Sequence, residues 1–516
     1  MKTNKQNKLN KRVDIEKIRN LAENGDADAQ FRLGTLYNNG EGIKQNYAES
    51  LSWYRKAAEQ GHSLAQENLG WMYEHGEGVP QKLSEAAKWY RLSAEQNDRW
   101  SQFRLGGLYY YGMGVAKNYK EAMRWLIKSI EPNEDGEVIE SGKLMIGNMY
   151  YNGYGIKQDY AKAMQYYRLL ADFDERAQAR IGSMYEDGCG VEKDYVEAAK
   201  WYKLAAENGH TIAQYLLGNF YDNGDGVKQD HKEALKWYRL AAENGHTTAQ
   251  VCVGEMYKAG EGVEKDIEEA LRWFRLAAEQ NNPDGQYALG ALYYEGKGVE
   301  QDYSKALRLF HKAAKQGCPE ALFCIGTMYR YGEGVKEDKG KAIKWYKESA
   351  KLGEANAMCN LGYIYDIGES VKQDYATAMK WYKKAARLGN GMSMHNIALM
   401  YEEGNGVKAN NKKAVEWYKK AAEQGYDGSV NNIGWMYQEG KGLPQDYHKA
   451  MEWYLKAAEL GCTTAMWNIV ELYEKGLGVE KNMEEVRKWM QIIADTGDED
   501  AKKWLKKHKD TKKKNV

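Results

Sequence analysis

Apolar positions along the chain follow a helical period, and the period restarts about every 36 residues. Ala357, Leu361 and Tyr365 stand four residues apart, the i, i+4, i+8 stripe of a helix buried on one side. A G-x-G loop closed by Val, Ile or Leu follows each such stretch, and then a second periodic segment begins. In its clearest copy this segment reads Asp446, Tyr447, Ala450, Trp453, Tyr454, Ala457 and Ala458, again at helical spacing. The pattern predicts a helix pair, and the pair recurs thirteen times. The small residue of the first stripe marks the register: Gly34, Gly70, Gly106, Gly147, Gly182, Gly218, Gly254, Gly290, Gly326, Gly362, Ala398, Gly434 and Val470. A tyrosine follows three residues later in every copy, from Tyr37 to Tyr473.

Local chemistry fits this reading. The first loop glycine suits a helix C-terminus that needs a left-handed residue, and the Val or Ile after the second glycine folds back as a plug. Asp or Asn stands where the second helix begins (Asn46, Asn118, Asp159, Asp194), which predicts a side-chain N-cap worth ~1 kcal/mol each. Lys82 breaks this rule, and Ser84 is expected to cap in its place. Eleven of the sixteen tryptophans share the W-Y position and are expected in the core, while Trp71, Trp100, Trp435, Trp467 and Trp504 follow no repeat rule. The helix Val13–Ala22 and the half-unit at Trp504 and Leu505 are expected to cap the two ends.

The motif A-x-x-x-L-G-x-x-Y-x-x-G-x-G-V-x-x-D-Y-x-x-A-x-x-W-Y-x-x-A-A-x-x-G resembles the Sel-1-like repeat (SLR), a branch of the tetratricopeptide-like α/α-repeat families. A tetratricopeptide unit of 34 residues lacks the G-x-G loop. The resemblance implies an all-α, right-handed α/α superhelical solenoid of about thirteen helix-turn-helix repeats. It also implies scaffold or adaptor roles in signalling, quality control or bacteria–host contact. Secreted cysteine-rich relatives staple each repeat with a disulfide; the six cysteines here form no such pairs. The domain reading is a basic tail at 1–12, a continuous solenoid at 13–506 with an acidic insertion at 131–140, and a basic tail at 507–516.

On the first helix, 100° per residue leaves a third face opposite the packed stripes. That face holds the positions two before, one after and five after the register residue. Superhelices of this kind line their inner groove with it. Trp71, Tyr363 and Trp435 lie one after, His75, Tyr111, Tyr331 and Glu439 five after, and Asn360, Asn396, Asn432 and Asn468 two before. An asparagine ladder can bond an extended peptide backbone without selecting its side chains, and exposed aromatics serve as anchors. The candidate partner-binding set is therefore Trp71, Asn360, Tyr363, Asn396, Asn432, Trp435, Glu439 and Asn468. Arg32, Arg104 and Arg180 take the asparagine position in earlier repeats, so the N-terminal half of this face favours acidic partner segments.

Composition narrows the function further. Lys+Arg and Asp+Glu balance at 74 each, yet residues 1–12 carry only positive charge and 502–516 are strongly basic, leaving an acidic body. That body excludes a nucleic-acid footprint on the folded part. No stretch approaches the ~18 apolar residues of a membrane span. A cytoplasmic, monomeric protein is expected. The cysteines form no CxxC and the histidines no metal spacing, so neither metal nor cofactor is expected. The glycine-lysine loop at 440–442 lacks the spacing of a phosphate loop and sits at a helix C-terminus, which repels phosphate. No Ser/His/Asp or Cys/His constellation rises above the repeated background. The expected function is a non-enzymatic scaffold holding a protein or extended peptide partner. The alternative is a regulatory subunit that activates or tethers an enzyme or membrane complex.

Overall fold

A computed structural model describes residues 15–132 and 139–508. The tail at 1–12, all but the first two residues of the tail at 507–516, and most of the acidic insertion lie outside the described residues. Among those described there are 28 α-helices and no strand, numbered α1 to α28 in chain order. The first, α1 (Ile15–Glu23), precedes thirteen helix pairs, beginning with α2 (Ala27–Asn39) and α3 (Tyr47–Glu59). The last, α28 (Glu499–Lys507), follows them and buries Ala501. The contacts divide the protein into two compact units: residues 15–249 with 260–264, and residues 250–259 with 265–508. Each unit is an all-α superhelical solenoid of helix pairs.

Within a pair the register glycine exists because a ring lies against it. A Cβ on Gly434 would stand 2.7 Å from Tyr454 Cδ1, and one on Gly70 would stand 2.7 Å from Tyr90 Cδ1. These tyrosines, not the tryptophans before them, are the largest fully buried side chains. Of the eleven W-Y tryptophans only Trp125 and Trp237 are buried. The other nine are half-buried, and in four of them a lysine one turn later covers the ring. Lys56 lies 3.9 Å from the Trp53 centroid, Lys384 4.4 Å from Trp381 and Lys420 4.5 Å from Trp417. The expectation of eleven core tryptophans is corrected accordingly: Trp125 and Trp237 are core, the other nine are amphipathic cover, and beside those nine the core ring is the next residue wherever it is Tyr or Phe.

Up to three polar contacts hold a turn, the third where a glutamine precedes the cap, as in seven of the thirteen repeats. Gly440 ends its helix at φ 67° and donates to the Met436 carbonyl. The cap residue seals the loop through its backbone, as Asn46 N–H donates to Tyr37 O at 2.9 Å, while its side chain takes the amides of Ala48 and Glu49. The glutamine just before the cap donates to a first-helix carbonyl, as Gln45 does to Asn38 O at 2.7 Å and Gln445 to Gln438 O at 2.8 Å. Lys82 remains the cap position without any side-chain cap bond, so Ser84 does not replace it. The G-x-G loop fixes where the helix starts, and Ser84 falls inside the first turn; Glu85 there pairs with Lys82 and Lys88 instead.

A second set of bonds joins consecutive repeats, and periodicity did not reveal it. A buried glutamine near the start of a first helix donates to the end of the preceding second helix. Gln66 Nε2 bonds Ala58 O at 3.0 Å and Gln102 bonds Ala94 O at 3.1 Å. Its carbonyl accepts in turn from the end of its own repeat's second helix, Gln96 to Gln66 at 2.7 Å. Buried amides with both ends satisfied fix register without an unmet polar group.

Candidate functional site

The nominated residues occupy the first helices, and each unit presents its own set. In the second unit Asn360, Asn396 and Asn432 are half-buried, and each amide lies against the hydroxyl of a core tyrosine: Tyr346, Tyr382 and Tyr418. Those hydroxyls also bond first-helix side chains, with Tyr382 donating to Asp366 at 3.1 Å and Tyr418 to Glu402 at 2.7 Å. Burial pushes all three tyrosines well above their ordinary range. Asn468 differs, donating to Asn431 of the preceding repeat at 2.9 Å. Three of the four asparagines thus close over tyrosine hydroxyls, and part of each amide's bonding capacity is already used.

The aromatic candidates also have partners. Trp71, 37% exposed, stacks on His75 at 3.8 Å and carries the Arg104 guanidinium 5.7 Å away. Tyr363, 41% exposed, faces Arg330 at 5.2 Å. Trp435 is half-buried under the Lys441 ammonium at 4.1 Å, and Glu439 is exposed. Tyr111 and Tyr331, five after the register residue, are each 60% exposed.

A cavity of about 680 Å³ opens in the first unit on the same helix face. The helices Arg99–Tyr111, Glu140–Asn152, Glu175–Asp187 and Thr211–Asn223 line it in succession. Its apolar lining includes Phe103, Leu144, Met145 and Leu216, and Arg104, Arg176, Arg180 and His210 supply its basic groups. Two of these arginines are neutralised. Arg104 pairs with Glu74, which also accepts from the Tyr90 hydroxyl at 2.7 Å, and Arg176 pairs with Asp174 at 2.6 Å. Burial holds His210 below the usual imidazole range. None of the eight nominated residues lines the cavity; Trp71 adjoins it through Arg104. The positions singled out for charge, Arg104 and Arg180, do line it.

One pair hidden from the sequence reading has the look of chemistry. His395 Nδ1 stands 2.8 Å from Ser429 Oγ, one repeat later, and Asp427 lies near enough to act on the imidazole. Ser429 is fully buried, so no scissile bond reaches its oxygen. Burial pushes His395 down to about 4, which keeps it neutral as a hydrogen-bond partner between repeats. Among the described residues no group of His, Cys, Asp and Glu side chains converges to hold a metal ion, and no helix is long and apolar enough to cross a membrane.

Comparison with known proteins follows the repeat geometry. The Sel1 repeat family profile matches thirteen segments, from 27–62 and 63–98 through 429–462 and 464–498. Each begins at or near the start of a first helix. Among solved structures, a protective antigen present in uropathogenic Escherichia coli strains and displaying an SLR fold is 30% identical. The match covers 96% of this chain and 98% of that one, with a TM-score of 0.59. A Sel1 repeat protein from Oxalobacter formigenes is 38% identical over 48% of this chain and 99% of its own, with a TM-score of 0.44. Comparison with curated proteins finds no match. With thirteen matched repeats spanning nearly all of its helices, the chain belongs to the Sel1 repeat family.

Proposed function

We propose that the protein is a non-enzymatic scaffold that holds a protein partner, or an extended peptide segment of one, along the face built by its first helices. Sel1 repeats generally build protein-interaction scaffolds, and the observation that carries the reading here is where side chains depart from the repeat. Residues that core packing does not require, Trp71, Tyr111, Tyr331 and Tyr363, are exposed on that one face, and the 680 Å³ recess opens onto it. Exposed aromatics rimmed by polar groups are the usual mark of an interaction surface. The reading takes 13–506 as one array acting as a cytoplasmic monomer.

Crosslinking with affinity capture tests it. The wild-type chain is compared with the combined Asn396→Ala, Asn432→Ala, Trp435→Ala variant and with Trp71→Ala. Crosslinks are expected to map to first-helix positions, and the variants are expected to lose capture while keeping their helical circular dichroism. Equal capture by all forms, or crosslinks confined to the second helices, sinks the reading.

A further inference from the structure

The cavity of the first unit has an imbalance of charge. Arg104 and Arg176 have carboxylate partners. Arg180 is exposed on the same wall, and among the described residues no carboxylate stands within ion-pair distance of it. An arginine fork placed over an apolar floor donates two parallel hydrogen bonds to a carboxylate, and it discriminates against a neutral isostere. The floor is not polar enough to suit a bare anion: Phe103, Leu144, Met145, Ile212 and Leu216 form it, with Ile212 55% exposed. We propose that this recess binds an acidic–aliphatic peptide segment in extended form, with one Asp or Glu carboxylate on Arg180 and a large apolar side chain in the pocket beside it.

Geometry sets the spacing. Leu144 and Met145 lie on the first helix one repeat before Arg180, and Ile212 and Leu216 on the one after. First helices of successive repeats share few direct contacts, so they stand at or beyond the ~8–10 Å of a packed pair. An extended chain advances ~3.3 Å per residue, so the apolar anchor falls about three or more residues from the acid. Ser183 and Asn148, also lining the recess, offer hydrogen bonds to the intervening backbone. This inference rests on the peptide-holding reading above and assigns the chemistry of the segment held.

An array of short, N-acetylated and C-amidated peptides tests it with the full-length chain. Each peptide carries one glutamate and one leucine or phenylalanine at varied separation, and each has a glutamine-for-glutamate match. Selective retention of acid–apolar pairs about three or more residues apart is expected, with the best binder losing about tenfold in affinity in Arg180→Gln and less in Arg180→Lys. Affinity for the glutamine matches is expected to be the same in all forms. Equal affinity of wild type and Arg180→Gln overturns the inference, as does displacement of the peptide by inorganic phosphate or RNA at lower concentration. Peptides retained without acid preference sink this inference alone, whereas no retention of any peptide also removes the extended-peptide reading on which it stands. Matching thermal melts for the variants confirm that both fold.

Discussion

Gly78, the second glycine of its loop, stands against the backbone of Tyr47 at the start of the preceding repeat's second helix. A Cβ on Gly78 would lie 2.5 Å from the Tyr47 carbonyl oxygen, and Gly78 itself sits at φ 68°. Both facts exclude a side chain, and the obstacle is backbone that cannot rotate aside. Gly78→Ala is therefore expected to cost ~2–4 kcal/mol, the sum of left-handed strain and forced separation of two repeats. A thermal melt of the variant within a degree of wild type contradicts this.

Ser370 occupies the corresponding position in its own repeat and is held at φ 60°. The loop around it is braced by Glu369, which pairs with Arg330 at 2.6 Å and with Lys339 at 3.1 Å. Left-handed strain on a non-glycine residue costs ~1–2 kcal/mol, and glycine returns part of that as unfolded-state entropy. Ser370→Gly is expected to stabilise the second unit by up to ~1 kcal/mol, read as a shift of the denaturant midpoint at unchanged slope. A destabilised variant shows that the serine hydroxyl is a needed partner.

The repeat, its two helices and its caps were legible because each rests on a local rule: a period of 3.6, a left-handed glycine, an Asx cap. The second loop glycine was not, since its reason is the carbonyl of Tyr47 some thirty residues upstream in another repeat. The glutamine bonds to the preceding repeat, such as Gln66 to Ala58 O, were hidden for the same reason. In the W-Y pair both aromatics repeat, and periodicity alone does not say which one the solvent reaches. Arg104 and Arg180 were visible as charges at a special position. That Arg104 is spoken for by Glu74 and Arg180 is not required the fold.

Tryptophan burial gives a graded prediction. Trp237 is 6% exposed within a core cluster, whereas Trp417 is half-buried with Lys420 across its face. Trp237→Ala is expected to cost ~3–5 kcal/mol, the range for a buried large aromatic. Trp417→Ala should cost about half as much, because half the ring already faces water or a mobile lysine stem. Equal losses in chemical denaturation refute the assignment of these rings to different environments.

Glu67 sits three residues before Gly70, where other repeats hold aromatic or aliphatic residues such as Phe31, Phe103 and Tyr287. Burial, helped by Asp98, raises its carboxyl to about 7. The folded value lies above the unfolded one, so the favourable contribution of the protonated acid is present at low pH and is lost as pH rises from ~4.5 through 7. Glu67→Gln should raise the melting temperature at pH 8, by ~1–2 kcal/mol of stability, and the gain should shrink at pH 5. A gain independent of pH shows that packing, not ionisation, is responsible.

His395 carries the opposite sign. Its folded value of about 4 lies below that of a free imidazole, because burial beside Ser429, Tyr418 and Tyr426 disfavours the cation. Between pH ~6.5 and 4 the unfolded chain binds a proton that the folded chain refuses, so stability falls as pH falls through this window. His395→Phe restores the aromatic residue that Phe323 and Phe103 supply at the same register and removes the titrating group. The variant should lose less stability than wild type between pH 7.5 and 5, the difference amounting to ~2 kcal/mol at most. Part of the acid sensitivity should remain, since burial also depresses His210, His246 and His311. An imidazole that titrates near 6.5 by NMR in the folded chain, or parallel acid losses in variant and wild type, places His395 in solvent and breaks the argument.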